Sequence, residues 1–430
     1  MIKSGDRLEC ESMGTLTVGK SLGAGMQGQV FHVDSDQGPA AVKRYYPAMA
    51  TPGQRAGIKA IIGAQLQDPR LLWPRSFLVK EGDASFGYVM PLRPPDFIPL
   101  SRVIKGVVPI DFQLLVRSGI GLVGAYRTIQ VNGLAYRDIK DPNVFIRPAT
   151  GDVLVCDNDN AVAQDSISQI KGTTDFCARE LLVGGANPNS VTDLHSLAVL
   201  LFFLLVRGHP LGGAREAAIR CLDEAARVHL YGVAPSFIFD PAPDANRPVQ
   251  GLHDGVIKHW SIWPDDLKAL WMRAFTAGLR DPSKRPTLLE WMAALGRAQD
   301  SLRRCASCGS RTVAPTATAA QWECWNCHAA VQPGPRCQVH DRVILLDPGA
   351  AVFQHHLDNR PADANFDQPV LSAVAHPTDP TIIGLRNDTS KDMSYTRKDG
   401  SSSQIPPGGT AMVADGASLV TSQGTIRMRV

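Results

Sequence analysis

The chain has 430 residues, of which 44% are hydrophobic and 20% charged, so it can form two to four folded domains and is not a disordered polypeptide. Its 44 basic and 41 acidic residues give a net charge of +3, which excludes the strong basic bias of general nucleic-acid or membrane binding. The start, MIKSGDRLEC, has no apolar signal core, and the longest apolar run, at 197–206, is too short to span a bilayer. We therefore expect a cytoplasmic protein whose nine cysteines are reduced or metal-bound.

The first 95 residues predict a β-rich domain. Short β-like runs separated by glycine turns occur at 14–23, 28–35, 39–46, 77–82 and 86–92. A helix is predicted over 53–67. The sequence RPPD at 93–96 is typical of a connector, so the first domain is expected to comprise residues 1–95.

The next two hundred residues, 96–300, predict a mainly helical domain. Apolar residues recur with helical spacing over 110–131, 190–206, 213–229 and 265–299. Between them, 233–251 is rich in proline and small polar residues and predicts a loop. After residue 300 the composition changes, and we expect two further domains over 301–335 and 338–430.

A glycine-rich turn lies between the first two predicted strands. In LGAGMQGQV, Gly23, Gly25 and Gly28 would let backbone N–H groups approach phosphate oxygens without a Cβ in the way, although a glycine-rich hairpin needs no ligand. The strand setting argues against a dinucleotide fold, which needs a helix directly after the glycines. Lys43 follows in the apolar strand AAVKRY, where a lysine usually faces solvent but, after such a loop, suits an ammonium that reaches α- and β-phosphates.

Two polar turns supply further candidates. In YRDIKDPNVF (136–145), Asp138 could accept a hydroxyl proton and Asn143 could bind a metal through its amide oxygen. Lys140 could neutralise charge on a phosphoryl group during transfer. In VLVCDNDNAV (153–162), Asp157 ends an apolar run and could bridge Mg²⁺ between phosphates, whereas a simple turn would explain the same residues without chemistry.

In order and spacing these motifs resemble the eukaryotic-type (Hanks-type) serine/threonine protein kinase family over residues 12–297. GAGMQGQV resembles the glycine-rich loop, AVK the lysine motif, YRDIKDPN the catalytic loop, and CDND stands in the Asp-Phe-Gly position. KGTTDFCARE (171–180) resembles the end of an activation segment, TDLHSLAVLL a large buried helix opening with Asp193, and DPSKRPT carries Arg285, which would pair with Glu180. The resemblance implies an α+β fold of two lobes with ATP between them, and γ-phosphoryl transfer to a protein hydroxyl.

The resemblance assigns catalytic roles to Lys43, Asp138 and Lys140, and Lys140 matches the serine/threonine branch. It assigns Mg²⁺ binding to Asn143 and Asp157. Contacts with ATP are implied for Gly23, Gly25, Gly28, Val30, Ala41, Lys43, Met90, Leu92, Asn143 and Asp157, with Met90–Leu92 as the hinge.

The predicted activation segment contains candidate phosphorylation sites. They are Ser166, Ser168, Thr173 and Thr174. Thr173 or Thr174 could equally be structural and bond to Asp138, and this is favoured more for Thr173. Arg137 is the arginine that in many family members meets a phosphate on this segment.

The chain departs from the family pattern at several places. Tyr136 replaces a histidine, Asn158 and Asp159 replace Phe and Gly, and Arg179 replaces a proline. From Arg44 to Gln67 there is no acidic residue, so the usual glutamate partner of Lys43 is missing.

Three explanations for the missing glutamate remain. Gln54, Gln65 or a more distant acid orients Lys43, or the lysine needs no partner, or catalysis is impaired. A pseudokinase scaffold that binds nucleotide without phosphoryl transfer is therefore the alternative to an active kinase. A small-molecule kinase is disfavoured because KGTTDFCARE resembles a peptide-positioning segment.

Two C-x2-C motifs, CASC and CWNC, are separated by fifteen residues and predict a zinc ribbon. Its ligands would be Cys305, Cys308, Cys324 and Cys327. In so short a segment zinc replaces a hydrophobic core. Few basic residues, and tryptophans 322 and 325 that the pattern predicts to be exposed, favour protein contact over nucleic acid.

The other cysteines have a different interpretation. Cys337 and His340 form a C-x2-H pair that cannot close a metal shell, and we interpret it as structural or free. Packing roles are predicted for Cys10, Cys156, Cys177 and Cys221.

From about residue 341, short β-like runs and the turns KDG and ADG predict a small β-sandwich. GLRNDTS (384–390) faintly resembles the forkhead-associated phosphopeptide-binding fold, but a packing or adaptor domain is favoured. The order of kinase, ribbon and β tail loosely resembles a bacterial group of kinases linked with tellurium-resistance-type von Willebrand factor A proteins and a metal-dependent serine/threonine phosphatase. That resemblance implies two such partners besides the protein substrate.

Overall fold

A computed structural model describes residues 3–79, 86–163, 172–242, 246–360, 364–421 and 424–430. The N-terminal lobe contains six strands and one helix within these ranges. They are β1 Arg7–Cys10, β2 Gly14–Ala24, β3 Gly28–Ser35, β4 Gly38–Tyr45, α1 Pro52–Gly63, β5 Ser76–Val79 and β6 Gly87–Pro91. All five strands predicted for this lobe are present. Residues 80–82 of the predicted run over 77–82 lie outside the described residues.

The six strands close into an antiparallel barrel in the order β1-β2-β3-β4-β6-β5, with β1 paired back onto β5. Alternate side chains, such as those of Leu16 and Val33, fill its interior, as expected for strands with one buried face. Helix α1 begins after Thr51, whose hydroxyl accepts the N–H of Gln54. It ends at Gly63, earlier than the predicted 67, because Gln65 has a φ of 45°.

The C-terminal lobe consists mainly of helices, with five short strands near the cleft. The strands are β7 Ile98–Pro99, β8 Leu134–Ala135, β9 Val144–Ile146, β10 Val153–Val155 and β11 Val162–Ala163. The helices are α2 Leu100–Ile104, α3 Phe112–Val131, α4 Arg179–Leu182, α5 Ser190–Val206, α6 Ala214–Ala217, α7 Glu224–Val228, α8 Asp254–Ile262, α9 Asp265–Ala274, α10 Ala277–Arg280 and α11 Leu288–Asp300.

Helix α5 spans the predicted 190–206 and lies at the centre of the lobe, apolar and buried on nearly every side. The predictions of one continuous helix over 213–229 and another over 265–299 are wrong, because each segment is divided into shorter helices. Over 213–229 the chain breaks before Asp223, whose carboxylate accepts the N–H of Ala226 and starts α7. Over 265–299 the prolines at 282 and 286 end one helix and precede the next.

Two hairpins and a β-sandwich follow the lobes. The hairpins are formed by β12 Leu302–Arg304 with β13 Arg311–Val313, and by β14 Trp322–Glu323 with β15 Ala330–Val331. The sandwich contains β16 Arg336–Val339, β17 Arg342–Leu345, β18 Ala351–Phe353, α12 Gln354–Leu357, β19 Pro369–Ala375, β20 Ile383–Asn387, β21 Met393–Thr396, β22 Ser402–Ile405, β23 Thr410–Met412, β24 Ser418–Thr421 and β25 Gly424–Arg429.

The sandwich has a six-stranded sheet, β17-β16-β25-β24-β21-β22, and a four-stranded sheet, β18-β19-β20-β23. Apolar side chains from both sheets, including Ile344, Leu385 and Leu419, form its core. The predicted fold class, an α+β two-lobe structure followed by a cysteine ribbon and a β-rich C-terminal region, is confirmed. Within the residues described above, no helix is long and apolar enough to cross a membrane.

Candidate active site and metal centre

The glycine-rich turn joins β2 to β3, and its three glycines have different surroundings. A Cβ on Gly28 would lie 2.1 Å from the backbone oxygen of Arg44, so this glycine is needed for β3 and β4 to pair. A Cβ on Gly23 or Gly25 would meet nothing within 4 Å among the described residues. These two glycines therefore border open space at the mouth of the cleft, where a phosphate chain can approach the backbone.

An apolar cluster lies beneath this turn. Ala41 of β4 pairs with Met90 of β6, and both are buried. Val30 and Leu92 are partly buried and pack against the same cluster. The structure thus brings together the four apolar residues predicted to contact the nucleotide, in a position suited to a flat aromatic base.

Lys43 lies at the centre of the cleft and faces two carboxylates. Its Nζ is 2.7 Å from Oδ2 of Asp159 and 3.4 Å from Oδ1 of Asp157. Gln27, at the glycine turn, offers its amide oxygen at 3.4 Å. Burial acts to lower the pKa of Lys43, but the two carboxylates outweigh it and the pKa stands above its usual value. The lysine is therefore a protonated cation inside the cleft.

The candidates for orienting Lys43 are Gln54, Gln65 or an acid farther along the chain. The structure shows an acid, Asp159, in contact with the lysine. Asp159 comes from the turn after β10, and its side chain has no solvent exposure. Gln54 of α1 does not reach the lysine and instead donates to the Tyr45 hydroxyl at 3.1 Å, while that hydroxyl donates to Asp159. Sequence reasoning missed Asp159 in this role. The available signal was an acid in place of the family glycine, in a chain whose α1 carries none.

The turn between β8 and β9 presents Asp138. Lys140 Nζ lies 2.7 Å from Asp138 Oδ2, and the amide nitrogen of Asn143 donates to the same oxygen at 3.2 Å. Thr173 donates to Oδ1 at 3.4 Å, which is the contact expected if this threonine is structural. One carboxylate is thus held by an ammonium, an amide and a hydroxyl.

Asp193, the first acid of α5, fixes the backbone that precedes Asp138. Its carboxylate accepts the N–H groups of Tyr136 at 2.7 Å and Arg137 at 2.9 Å. Burial raises the pKa of Asp193 to about 7, although both backbone donors oppose the rise. Arg137 has a φ of 70°, a conformation that these bonds stabilise.

The guanidinium of Arg137 is buried and donates to the backbone oxygen of Asn160 at 3.0 and 3.1 Å. It therefore ties the Asp138 turn to the turn that follows β10. Its expected contact with a phosphorylated segment stays a prediction, and Ser166 and Ser168 lie outside the described residues. Thr174 donates to Glu224 of α7.

Asp157 and Asn143 offer oxygen atoms suited to Mg²⁺. Asp157 has a φ of 51° and its side chain is 43% exposed, so it faces the cleft. Burial raises the pKa of Asp157 while the nearby Lys43 opposes the rise. The Cys156 N–H donates to the backbone oxygen of Asn143 at 2.9 Å, which keeps the two candidate ligand residues close together. Since the amide nitrogen of Asn143 already bonds Asp138, its amide oxygen is the atom left for a hard cation.

The predicted pair between Glu180 and Arg285 is confirmed. Two guanidinium nitrogens of Arg285 lie 2.7 and 2.8 Å from the two carboxylate oxygens of Glu180. Arg285 is only 3% exposed, so this pair is a buried support beneath the end of the segment at 172–180.

Residues from the glycine-rich turn, the lysine strand and the two polar turns therefore meet in one cleft. A family model described as Protein kinase domain matches residues 16–294, more than half of the sequence. The chain belongs to the protein kinase family. No curated protein matches the chain significantly. The match extends over both lobes, and the family to which the chain belongs consists of phosphotransferases.

The four cysteines of the two C-x2-C motifs converge on one point. Their Sγ atoms all lie within 4.8 Å of one another, with Cys305 and Cys327 at 3.6 Å and Cys308 and Cys324 at 3.7 Å. A tetrahedral zinc with bonds of about 2.3 Å separates its sulfurs by about 3.8 Å, which these distances fit. Hydrogen bonds from the Ser310 hydroxyl and N–H lower the pKa of Cys308 to about 6, which favours the thiolate form that binds zinc.

The ribbon packs against the kinase domain. The predicted exposure of Trp322 is wrong, since it is 8% exposed within the small ribbon core. Trp325 is partly buried against the kinase core, donates to the backbone oxygen of Arg311 at 2.7 Å, and has the Nζ of Lys258 5.0 Å from its ring centre. Both tryptophans therefore make packing contacts within the protein, Trp322 in the ribbon core and Trp325 against the kinase core.

The remaining cysteines largely follow the predicted packing roles. Cys10 and Cys177 are buried and Cys156 is partly buried, whereas Cys221 is exposed, so its predicted packing role is wrong. Cys337 is buried in the sandwich core, and the His340 ring nitrogen lies 2.8 Å from the backbone oxygen of Leu357. These two residues are structural, as expected.

Proposed function

We propose that this kinase is a Mg·ATP-dependent serine/threonine protein kinase. The observation that carries the proposal is the convergence of one ammonium, Lys43, with Asp138, Asn143 and Asp157 in the cleft between the lobes. Lys43 comes from the barrel, and the three oxygen-bearing residues come from two turns that Arg137 joins. Each residue type is the one that phosphoryl transfer requires at its place.

The nucleotide would lie between the lobes. Val30, Ala41, Met90 and Leu92 would contact the base, the backbone at Gly23 and Gly25 would approach the phosphates, and Lys43 would bind the α- and β-phosphates. Asn143 and Asp157 would hold Mg²⁺ through an amide and a carboxylate oxygen. Bound Mg·ATP supplies the phosphoryl group that is transferred.

Asp138 would orient the substrate hydroxyl and accept its proton. Lys140, at 2.7 Å from this carboxylate, is close enough to neutralise charge on the transferred group and supports the serine/threonine assignment. The bond between Thr173 and Asp138 supports a role for the segment at 172–180 in placing a peptide beside the carboxylate.

We further propose a four-cysteine zinc ribbon at 301–335, between kinase lobes at 1–95 and 96–300 and a β-sandwich domain at 338–430. The ribbon and sandwich would recruit partners, for which the looser resemblance supports a von Willebrand factor A protein and a serine/threonine phosphatase. The location would be cytoplasmic, where a reducing environment keeps the four converging ribbon cysteines available as zinc ligands.

The test is incubation of the full chain with Mg²⁺ and γ-labelled ATP, followed by mapping of labelled residues. We expect label on serine or threonine, with Ser166, Ser168, Thr173 and Thr174 as the first candidates. Asp157→Ala should abolish the label. Asp152→Ala is the matched control, because Asp152 pairs with Arg147 and lies outside the cleft.

Absence of label from the wild-type chain, together with stabilisation of its fold by ATP, would contradict the proposal and favour a scaffold. The altered sequence Asn158-Asp159 and the acid-free helix α1 are the features that make this outcome worth testing. Label on tyrosine alone would contradict the serine/threonine assignment.

A further inference from the structure

The helix that follows Lys43 cannot supply its counter-ion. Helix α1, Pro52–Gly63, contains no acidic residue, and its buried side chains are those of Ile58 and Ile61. A buried ammonium without a partner is strongly disfavoured. The partner must therefore come from elsewhere in the fold.

The turn Asn158–Asn160 supplies it. The carboxylate of Asp159 is 2.7 Å from Lys43 Nζ, nearer than that of Asp157 at 3.4 Å, and it is fully buried. Asp157 is exposed to the cleft, where a metal ion competes for its oxygens. Asp159 has no such competing role, so it can hold the lysine while Asp157 binds metal.

The turn itself is well anchored. Asn158 donates its side-chain amide to the backbone oxygen of Val155 at 2.8 Å. The backbone N–H of Asn160 donates to the backbone oxygen of Asp157 at 3.1 Å, and Arg137 donates to the backbone oxygen of Asn160. The position of Asp159 is thus set by the C-terminal lobe.

We propose that Asp159 is a positioning residue that fixes Lys43 for the phosphates of the nucleotide, in place of an acid on helix α1. The inference rests on the proposed nucleotide site. Its consequence is that one turn sets both the phosphate-binding cation and the metal-binding carboxylate. Helix α1 contacts the ion pair indirectly, because Gln54 donates to the Tyr45 hydroxyl and that hydroxyl donates to Asp159. A shift of α1 therefore need not break the ion pair.

The test measures binding of Mg·ADP and of adenosine to the full chain by calorimetry. The variants are Lys43→Met, Asp159→Asn and the two combined. Asp159→Asn should weaken Mg·ADP binding about tenfold, the size expected for a lost charge-assisted contact, and leave adenosine binding within about twofold. Adenosine has no phosphate for Lys43 to bind, so it reports whether the cleft is folded.

The combined variant decides how Asp159 acts. If it works through Lys43, adding Asp159→Asn to Lys43→Met should cause no further loss of Mg·ADP affinity. Additive losses, or wild-type Mg·ADP affinity in Asp159→Asn, would overturn the proposal. Asp159→Gly, which restores the residue of the family pattern, provides a second variant if the asparagine protein fails to fold. Wild-type affinity in that variant would overturn the proposal too.

Binding and transfer separate this inference from the proposed function. Should the wild-type chain bind Mg·ADP with the expected variant pattern but transfer no phosphate, the proposed activity is wrong and the role of Asp159 stands. Should transfer occur while Asp159→Asn binds Mg·ADP normally, the activity stands and the role of Asp159 is wrong.

Discussion

Arg311 of the ribbon lies with its Nε 3.0 Å from Oδ1 of Asp111, the residue that caps helix α3 of the kinase domain. The same Oδ1 accepts the N–H of Gln113 in the first turn of that helix. Arg304 approaches the other oxygen at 3.7 Å. The ribbon therefore contacts the start of α3, one of the central helices of the C-terminal lobe. Unfolding of the ribbon should reduce the stability of the first turn of that helix.

Zinc removal should loosen this attachment. We expect one zinc per chain. Removing it with a chelator or by Cys308→Ser should unfold the two hairpins and lower Tm. Hydrogen exchange in the first turn of α3 should become faster, because Arg311 then no longer contacts Asp111. Metal analysis and hydrogen-exchange mass spectrometry measure these effects. Cys221→Ser, at an exposed cysteine outside the cluster, is the control and should keep its zinc. Unchanged exchange in α3 after complete zinc loss would contradict the coupling.

Removing the charge of Glu180 should destabilise the kinase domain severely. Glu180→Gln leaves the buried Arg285 without its counter-ion, so the free energy of unfolding should fall by about 3–5 kcal/mol. Asp266→Asn is the control, since Asp266 pairs with Arg297 where both side chains are about half exposed, and it should change stability by about 1 kcal/mol or less. Denaturant unfolding measures both. Equal effects of the two substitutions would show that burial does not matter here.

Some features were predictable because their physical signal is local. The apolar helix Ser190–Val206, the five predicted strands of the N-terminal lobe and the two C-x2-C motifs each follow from the pattern of neighbouring residues. The pair Glu180–Arg285 was predictable only through resemblance to a family, since the two residues are 105 positions apart.

Gly28 and Gly25 should respond differently to alanine. In Gly28→Ala the new Cβ meets the backbone of Arg44, so β3 and β4 must separate, and unfolding free energy should fall by about 1–3 kcal/mol. Gly25→Ala meets open space and should leave stability within about 0.5 kcal/mol while weakening Mg·ADP binding. Thermal unfolding and calorimetry separate the two effects. Equal stability of both variants would contradict the close approach at Gly28.

Other features depend on contacts that no local pattern encodes. Asp159 lies 116 positions from Lys43, and the contact depends on how one turn folds under the barrel. The burial of Trp322 could not be predicted because the ribbon packs its own hairpins around it, where the short segment alone indicated a surface residue. Both results depend on tertiary packing.

A buried acid at the junction of the lobes gives a test by pH. Asp68 accepts two guanidinium bonds from Arg70, at 2.9 and 2.7 Å, and the Thr128 hydroxyl of α3 at 2.6 Å. Burial acts to raise the pKa of Asp68, but these donors outweigh it and hold the pKa below its usual value of 3.8.

Asp68→Asn should therefore lower the free energy of unfolding at pH 7 by about 1–3 kcal/mol, because the amide loses the charge-assisted bonds. A carboxylate whose folded pKa is depressed stabilises the fold above its usual pKa, and this contribution is lost as the pH falls through the folded value. The difference between wild type and Asp68→Asn should thus be constant from neutral pH to about pH 4 and shrink below it. Denaturant unfolding across this range measures it. A difference that grows on acidification would mean that Asp68 is bound as the neutral acid.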